Sequence, residues 1–187
     1  MDNIHIYYAE IVHKSVFLPE PFFSKYQNAG CDSRRDEIVS TYLLLKQIKN
    51  LDVLSLKYND NGKPYINDKF LSISHDENLI IVAISEHNVG VDIIEITRDY
   101  EPIQKSLGIK DKLEFCKTWT IIESYMKYIG LGLQAGYKNI KVDFKKKTLS
   151  FKGKKEEIQF TTTQFESHVI GVVAKEFDEI IFDKVTL

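Results

Sequence analysis

An α+β fold is predicted by the order of the periodic segments along the chain. A strand comes first, then a long helix, further strands, a second long helix and a closing group of short strands. Three observations carry this. One helical stripe runs through Ser33–Lys49, where Ile38, Tyr42, Leu45 and Ile48 recur at steps of three and four. A second runs through Lys112–Ile129, where Phe115, Trp119, Ile122, Met126 and Ile129 step by four, three, four and three. Between them lie two apolar runs rich in β-branched residues, too short for helices and far too short to span a membrane.

Each element has its own local warrant. Ile4, Ile6 and Tyr8 alternate with His5 and Tyr7, the pattern of a half-buried strand. Pro19 and Pro21 break the chain. Asp32 or Ser33 is expected to cap the first helix. Leu54–Lys57 reads as a short strand, and Asn59-Asp60-Asn61-Gly62-Lys63-Pro64 is turn chemistry. Phe70–Ser74 reads as a weak strand. Leu79–Ser85 and Val89–Ile96, joined by Glu86-His87-Asn88, are expected to form a hairpin buried on both faces. Gly130 is the natural stop of the second helix. Short strands are expected at Ile140–Phe144, Thr148–Phe151, Ile158–Thr162 and His168–Ala174, with a last apolar patch at Ile180–Val185. No low-complexity linker divides the chain. Residues 1–187 are therefore expected to form a single compact unit of two similar halves, about 1–97 and 98–187.

Composition narrows the function. The 187 residues are 43% hydrophobic and 28% charged, the balance of a globular protein. A net charge of −2 supplies no global field toward nucleic acid. Cys31 and Cys116 are too few for a disulfide scaffold, and without a CxxC or Cys/His cluster no structural zinc site is expected. Residues Met1 to Ile6 enter an alternating pattern with no basic stretch and apolar run before it. No signal peptide, no membrane attachment and a cytoplasmic location are the expectations.

Several residues have chemical potential beside an ordinary structural reading. Asp92 lies in Gly90-Val91-Asp92-Ile93-Ile94-Glu95-Ile96. An ionised carboxylate in such a strand must be paired, bind a metal, or meet solvent at a strand end. Trp119, Glu123 and Lys127 share one helical row at the edge of the apolar stripe, as a site or as a surface ion pair beside a packed Trp. Ser74 and His75 are neighbours in a strand and point to opposite faces, so they are no nucleophile–base pair. His75 is a ligand contact or a turn histidine. Arg34-Arg35 is surface charge or an anion contact near a helix start. Lys138 to Lys155 holds eight lysines against Asp143 alone, a solvated hairpin face or a docking surface for an acidic partner.

Taken in order, these motifs resemble a family. Gly62-Lys63-Pro64, Ile73-Ser74-His75, Gly90-Val91-Asp92, Trp119-Thr120 with Glu123 and Lys127, and Gly130-Leu131-Gly132-Leu133 are similar to the 4′-phosphopantetheinyl transferase superfamily. The length and first helix resemble its surfactin-type, two-halves branch. The resemblance implies a pseudo-dimer of two α+β halves, each a long helix on a small antiparallel sheet, with the site in the cleft between them. It implies magnesium-dependent transfer of phosphopantetheine from coenzyme A to a serine of an acyl or peptidyl carrier protein, releasing adenosine 3′,5′-bisphosphate, as in holo-acyl-carrier-protein synthase. Asp92 and Glu123 are then the magnesium ligands, because a hard cation takes oxygen donors. Lys127 reaches a phosphate, and Glu123, or a water beside it, takes the serine proton. Lys63, Ser74 and His75 would contact coenzyme A phosphates, with Ser40 and Arg34 as further nucleotide or anion contacts. One site per chain implies a monomer.

Three departures qualify the resemblance. The surfactin-type branch has a second acid two positions after the first, where this chain has Ile94. Glu95 falls on the opposite strand face unless a bulge intervenes, which leaves it in question as a ligand. This run instead resembles the shorter holo-acyl-carrier-protein synthase branch. Ile122 stands where the family commonly has a lysine. Arg98-Asp99-Tyr100-Glu101-Pro102 stands where the family has a Phe-Phe and a glutamate. Ile94 and Ile122 keep open an alternative, a catalytically impaired relative that binds coenzyme A or a carrier protein as a regulatory or scaffold module.

Overall fold

The computed structural model describes residues 3–187, apart from the side chains of Leu133 and Gln134. Met1 and Asp2, where the N-terminal strand reading begins, and the Leu133 side chain of the last motif lie outside the described residues. The α+β class holds. In chain order the elements are β1 (Asn3–Glu10), α1 (Phe22–Gln27), α2 (Asp32–Gln47), a 3-10 turn (Val53–Ser55), β2 (Leu56–Tyr58), β3 (Pro64–Ile66), β4 (Lys69–Asp76), β5 (Leu79–Ser85) and β6 (Val89–Glu95). Then come α3 (Glu101–Leu107), α4 (Lys112–Ile129), β7 (Ile140–Asp143), β8 (Thr148–Phe151), β9 (Lys154–Lys155), β10 (Gln159–Phe165), β11 (His168–Ala174) and β12 (Glu179–Lys184). No helix among the described residues is long and apolar enough to cross a membrane.

The strands of the described residues form three sheets. The largest has the order β12-β1-β5-β4-β3-β2, the second β10-β11-β6 and the third β7-β8-β9. Helix α2 packs on β1 and β5, and α4 packs on β6 and β11 with β7 against another side. Three apolar layers result. Leu44 and Leu45 of α2 meet Leu71, Ile80 and Val82 of the first sheet. Phe115, Ile121, Ile122 and Met126 of α4 meet Ile94, Val169, Val173 and Leu149. Between the first two sheets, Ile4, Ile6, Ile81 and Ala83 meet Val89, Val91, Ile93, Ile170 and Val172. Period-two alternation therefore turns Val89, Val91 and Ile93 toward the first sheet and Gly90, Asp92 and Ile94 toward α4.

The expected hairpin of Leu79–Ser85 and Val89–Ile96 does not form. Strand β5 has both edges occupied, by β1 and β4, so β6 takes β11 as its ladder partner. Burial on both faces has another cause here, since each strand lies between a helix and the opposing sheet. The free edge of β6 is closed by side chains instead of a strand. Ser72 Oγ accepts the Val91 N–H at 2.9 Å, Ser74 Oγ accepts the Ile93 N–H at 3.4 Å, and Asp76 Oδ2 accepts the Glu95 N–H. Residues 72, 74 and 76 share one face of β4, and residues 91, 93 and 95 direct their N–H groups to one side of β6. Two period-two patterns thus meet in register, and no backbone donor there is left orphaned.

Helix boundaries show smaller differences. Cys31, in an extended conformation, precedes α2 without a side-chain cap, and Asp32 instead pairs with Arg35 at 2.7 Å. Helix α4 spans the residues expected. Asp111 caps it through the Glu114 N–H at 2.7 Å, and Gly130, at φ +72°, stops it with its N–H on the Lys127 carbonyl. Helices α1 and α3 have too few periodic residues to be read from sequence.

Candidate functional site

Two glycines bring α4 close to the second sheet. A Cβ at position 90 would fall 1.9 Å from the Ser124 carbonyl oxygen, and one at Gly171 would fall 2.7 Å from the Thr120 carbonyl carbon. Only glycine permits that approach. Ser124 uses it to donate to the Gly171 carbonyl at 2.9 Å. Asp92, two residues after Gly90 and paired in register with Gly171, faces the same helix and is 6% exposed. Lys127 reaches across to it, with Nζ 2.8 Å from Asp92 Oδ1 and 3.0 Å from the Val91 carbonyl. Ser74 Oγ donates to the same Asp92 oxygen at 2.7 Å. The buried carboxylate is thus paired, as its environment requires.

Glu123 lies one turn before Lys127 on the same row. Its carboxyl is pushed up to about 7, first by burial and then by the Asp92 charge, against the pull of Lys127. Among the described residues nothing donates a hydrogen bond to it. Two carboxylates are therefore desolvated near each other with oxygen lone pairs to spare, an arrangement that a hard divalent cation relieves. The donor set fits magnesium, which binds few protein carboxylates and completes its shell with water and substrate phosphate. No group of three or more His, Cys, Asp and Glu side chains gathers among the described residues.

Beside the pair opens a cavity of about 260 Å³ lined by Lys25, Arg34, His75 and Lys127, with Phe22 and Tyr58 as aromatic walls. Lys25 Nζ lies 3.4 Å from the centre of the Tyr58 ring. Burial, and then Arg34, lowers the Lys25 pKa. Burial pushes the Tyr58 hydroxyl up to about 12. Arg34, Glu37 and His75 close a three-membered ring. Arg34 donates to Glu37 Oε2 at 2.7 Å and to His75 Nε2 at 2.8 Å, and His75 Nδ1 meets Glu37 Oε1 at 3.0 Å. Arginine cannot accept, so Nε2 is the acceptor and Nδ1 carries the proton. Burial, the largest cause, lowers the His75 pKa and favours this neutral form.

The sequence-read residues divide between this cleft and its supports. Asp92, Glu123 and Lys127 come together, and Lys127 pairs with Asp92 instead of forming a surface pair with Glu123. Arg34 and His75 line the cavity. Lys63 also borders it, but its ammonium is held by the carbonyls of Val89, Lys127 and Tyr128 at 2.9–3.0 Å and by Asn88 Oδ1. It seals the C-terminus of α4, where a cation complements the helix dipole. Burial lowers it to about 8. Ser74 is buried, with its hydroxyl on Asp92, and does not face the cavity as a free phosphate contact. Ser40 does not line the cavity. It is fully buried, and its hydroxyl accepts the Val12 N–H at 2.9 Å, which fastens the segment after β1. Glu95 stays on the face opposite Asp92, because the β6–β11 register runs without a bulge. Ile94 and Ile122 are 4% and 1% exposed, core residues on the α4 side. Glu37 was missed, although its place one turn after Arg34 marks it as an ion-pair partner.

No family model matches the chain. A search of curated proteins finds the 4′-phosphopantetheinyl transferase gsp of Aneurinibacillus migulanus, 30% identical over 136 residues. The match takes in 64% of this chain, which spans 57% of that relative's length. The order of its motifs and this match make the chain similar to a 4′-phosphopantetheinyl transferase.

Proposed function

We propose that the protein transfers the 4′-phosphopantetheine group of coenzyme A to a serine hydroxyl of an acyl or peptidyl carrier protein. The observation that carries this reading is the Asp92–Glu123–Lys127 cluster, which Lys127 joins to a cation-lined cavity. In the reaction a bond forms between the serine oxygen and the pantetheine-side phosphorus, and the bond from that phosphorus to the bridging oxygen breaks. Adenosine 3′,5′-bisphosphate leaves with the bond electrons, and the serine proton passes to a base.

Asp92 and Glu123 would hold magnesium, which neutralises the pyrophosphate so that an oxygen nucleophile can approach it. Lys127, Lys25 and Arg34 supply further positive charge for the phosphates, and His75 offers a neutral ring beside Arg34. The Tyr58 ring, with Lys25 over its face, borders the same cavity. Glu123, or a water beside it, would take the serine proton. Ser74 and Lys63 act from behind, one on Asp92 and the other on the end of α4. Ile94 and Ile122 complete the core, so their apolar character does not count against activity. One site per chain makes a monomer sufficient.

The test is intact-protein mass spectrometry of apo carrier proteins incubated with the chain, coenzyme A and magnesium. A gain of one phosphopantetheine, abolished by EDTA, is expected. Asp92→Asn and Glu123→Gln are each expected to slow transfer by about 10²–10³-fold. Undiminished transfer by either variant overturns the site.

A further inference from the structure

The charge of this chain is segregated. Residues 138–155 hold eight lysines and one acid, a charge of +7, which leaves −9 for the rest of a chain whose total is −2. All eight lysines are exposed, and among the described residues only Lys146 has an acid partner, Asp143 at 3.8 Å. The β7–β9 sheet arranges them. Ile140, Val142, Leu149 and Phe151 turn inward to α4. The register then sets Lys141, Ser150 and Lys155 in one row across the outer face. Lys145, Lys146 and Lys147 crowd the β7–β8 turn, beside the half-exposed Phe144. So many like charges repel one another, and the fold gains nothing from their concentration.

We infer that the outer face of the β7–β9 sheet is the docking surface for the acceptor protein, and that it selects acceptors with an acidic surface. The inference rests on the transferase reading, which requires a protein acceptor. Reach is adequate. Gly132 lines the cavity and Lys138 follows six residues later, at most about 20 Å along the chain. A compact domain of roughly 100 residues is about 30 Å across, enough to touch Lys138 and present a serine at the cleft. Charge complementarity names the occupant. A small acidic domain meets only the +7 patch, whereas a long polyanion or an anionic membrane would also meet the −9 remainder.

The test uses the full chain and the variant Lys145→Ser/Lys146→Ser/Lys147→Ser, all three at a solvated turn. Transfer to a strongly acidic and to a near-neutral apo carrier domain is followed at low and high salt. Direct binding of each carrier is followed by fluorescence anisotropy, and coenzyme A binding by calorimetry. The expected result is a KM for the acidic carrier raised at least tenfold at low salt, with kcat and coenzyme A affinity unchanged. The difference should shrink at high salt and be small for the neutral carrier. Equal KM values for the two proteins at low salt overturn the inference, as does anisotropy binding to a short DNA duplex or to phosphatidylserine vesicles as tight as to the acidic carrier. If no carrier is modified but the acidic one binds in a lysine-dependent way, the docking surface stands and the transferase reading falls. Transfer without lysine dependence gives the reverse.

Discussion

At the scale of single residues, burial decides what each charge can do. Glu123 has a folded pKa of about 7 against an ordinary 4.5. The folded state therefore holds a proton between those values that the unfolded state has released. Stability falls as pH rises through that window, by about 3 kcal/mol in total. Thermal melts in EDTA are expected to show this slope, Glu123→Gln to remove it, and magnesium to restore stability above pH 7. Ser74→Ala removes one donor from Asp92 without touching the cavity. Its expected effect is a roughly tenfold lower kcat with coenzyme A affinity retained, read by steady-state kinetics and calorimetry. These residues were legible in the sequence to different degrees. Asp92 stood out because a carboxylate among β-branched neighbours needs a partner, and Lys127 because it shares a row with Glu123. Ser40, Ser74 and Lys63 were legible as polar residues in motifs, but not as buried ones. A hydroxyl that meets a backbone N–H from another strand or loop leaves no mark in its own segment.

At the scale of elements, α4 was read to its last residue, because its stripe and its Gly130 stop agree, and the Asp111 cap that the structure adds falls at the same start. The β5–β6 pairing was misread, because two adjacent apolar runs look alike whether they pair with each other or lie in facing sheets. What fixed the outcome was the occupied edge of β5 and the side chains of β4, both non-local. The close approach of α4 to β6 is the element-level device on which the site depends. Gly90→Ala would drive a methyl group into the Ser124 carbonyl, backbone that cannot step aside. The expected cost is about 3 kcal/mol, seen as a lowered denaturation midpoint, with Asp92 pulled away from Glu123 and Lys127. Transfer should fall much further than the population of folded protein does. If activity per folded molecule is unchanged, helix proximity does not set the site. Lys63→Met tests the other end of the same helix. It leaves the α4 carbonyls without their cation, at a cost of about 1–3 kcal/mol in chemical denaturation.

At the scale of the molecule, the two helix–sheet layers are joined by one apolar interface and one polar seam. The interface is the layer of Ile4, Ile6, Ile81, Val91, Ile93 and Val172. Such a layer is strong, but apolar attraction is non-directional and does not by itself specify register. The seam does specify it. Ser72, Ser74 and Asp76 each accept one N–H of β6, and a slip of one residue would turn those N–H groups away and bury them unpaired. Asp76 is the anchor, because it also holds Arg98 and accepts the Tyr100 hydroxyl at 3.2 Å, which ties in the segment leading to α3. It stands one residue after His75 on the cavity wall and two after Ser74, the donor to Asp92. The seam therefore links the cavity wall on β4 to the carboxylate on β6. Asp76→Ala would strand the Glu95 N–H and free Arg98, and is expected to cost about 3 kcal/mol in urea denaturation. The more telling readout is kinetic. If the seam only holds the layers together, coenzyme A affinity and kcat per folded molecule stay as they were. If it sets the register that faces Asp92 toward Glu123, kcat falls at least tenfold, and Asp76→Asn, which keeps one acceptor oxygen for the Glu95 N–H, recovers most of it.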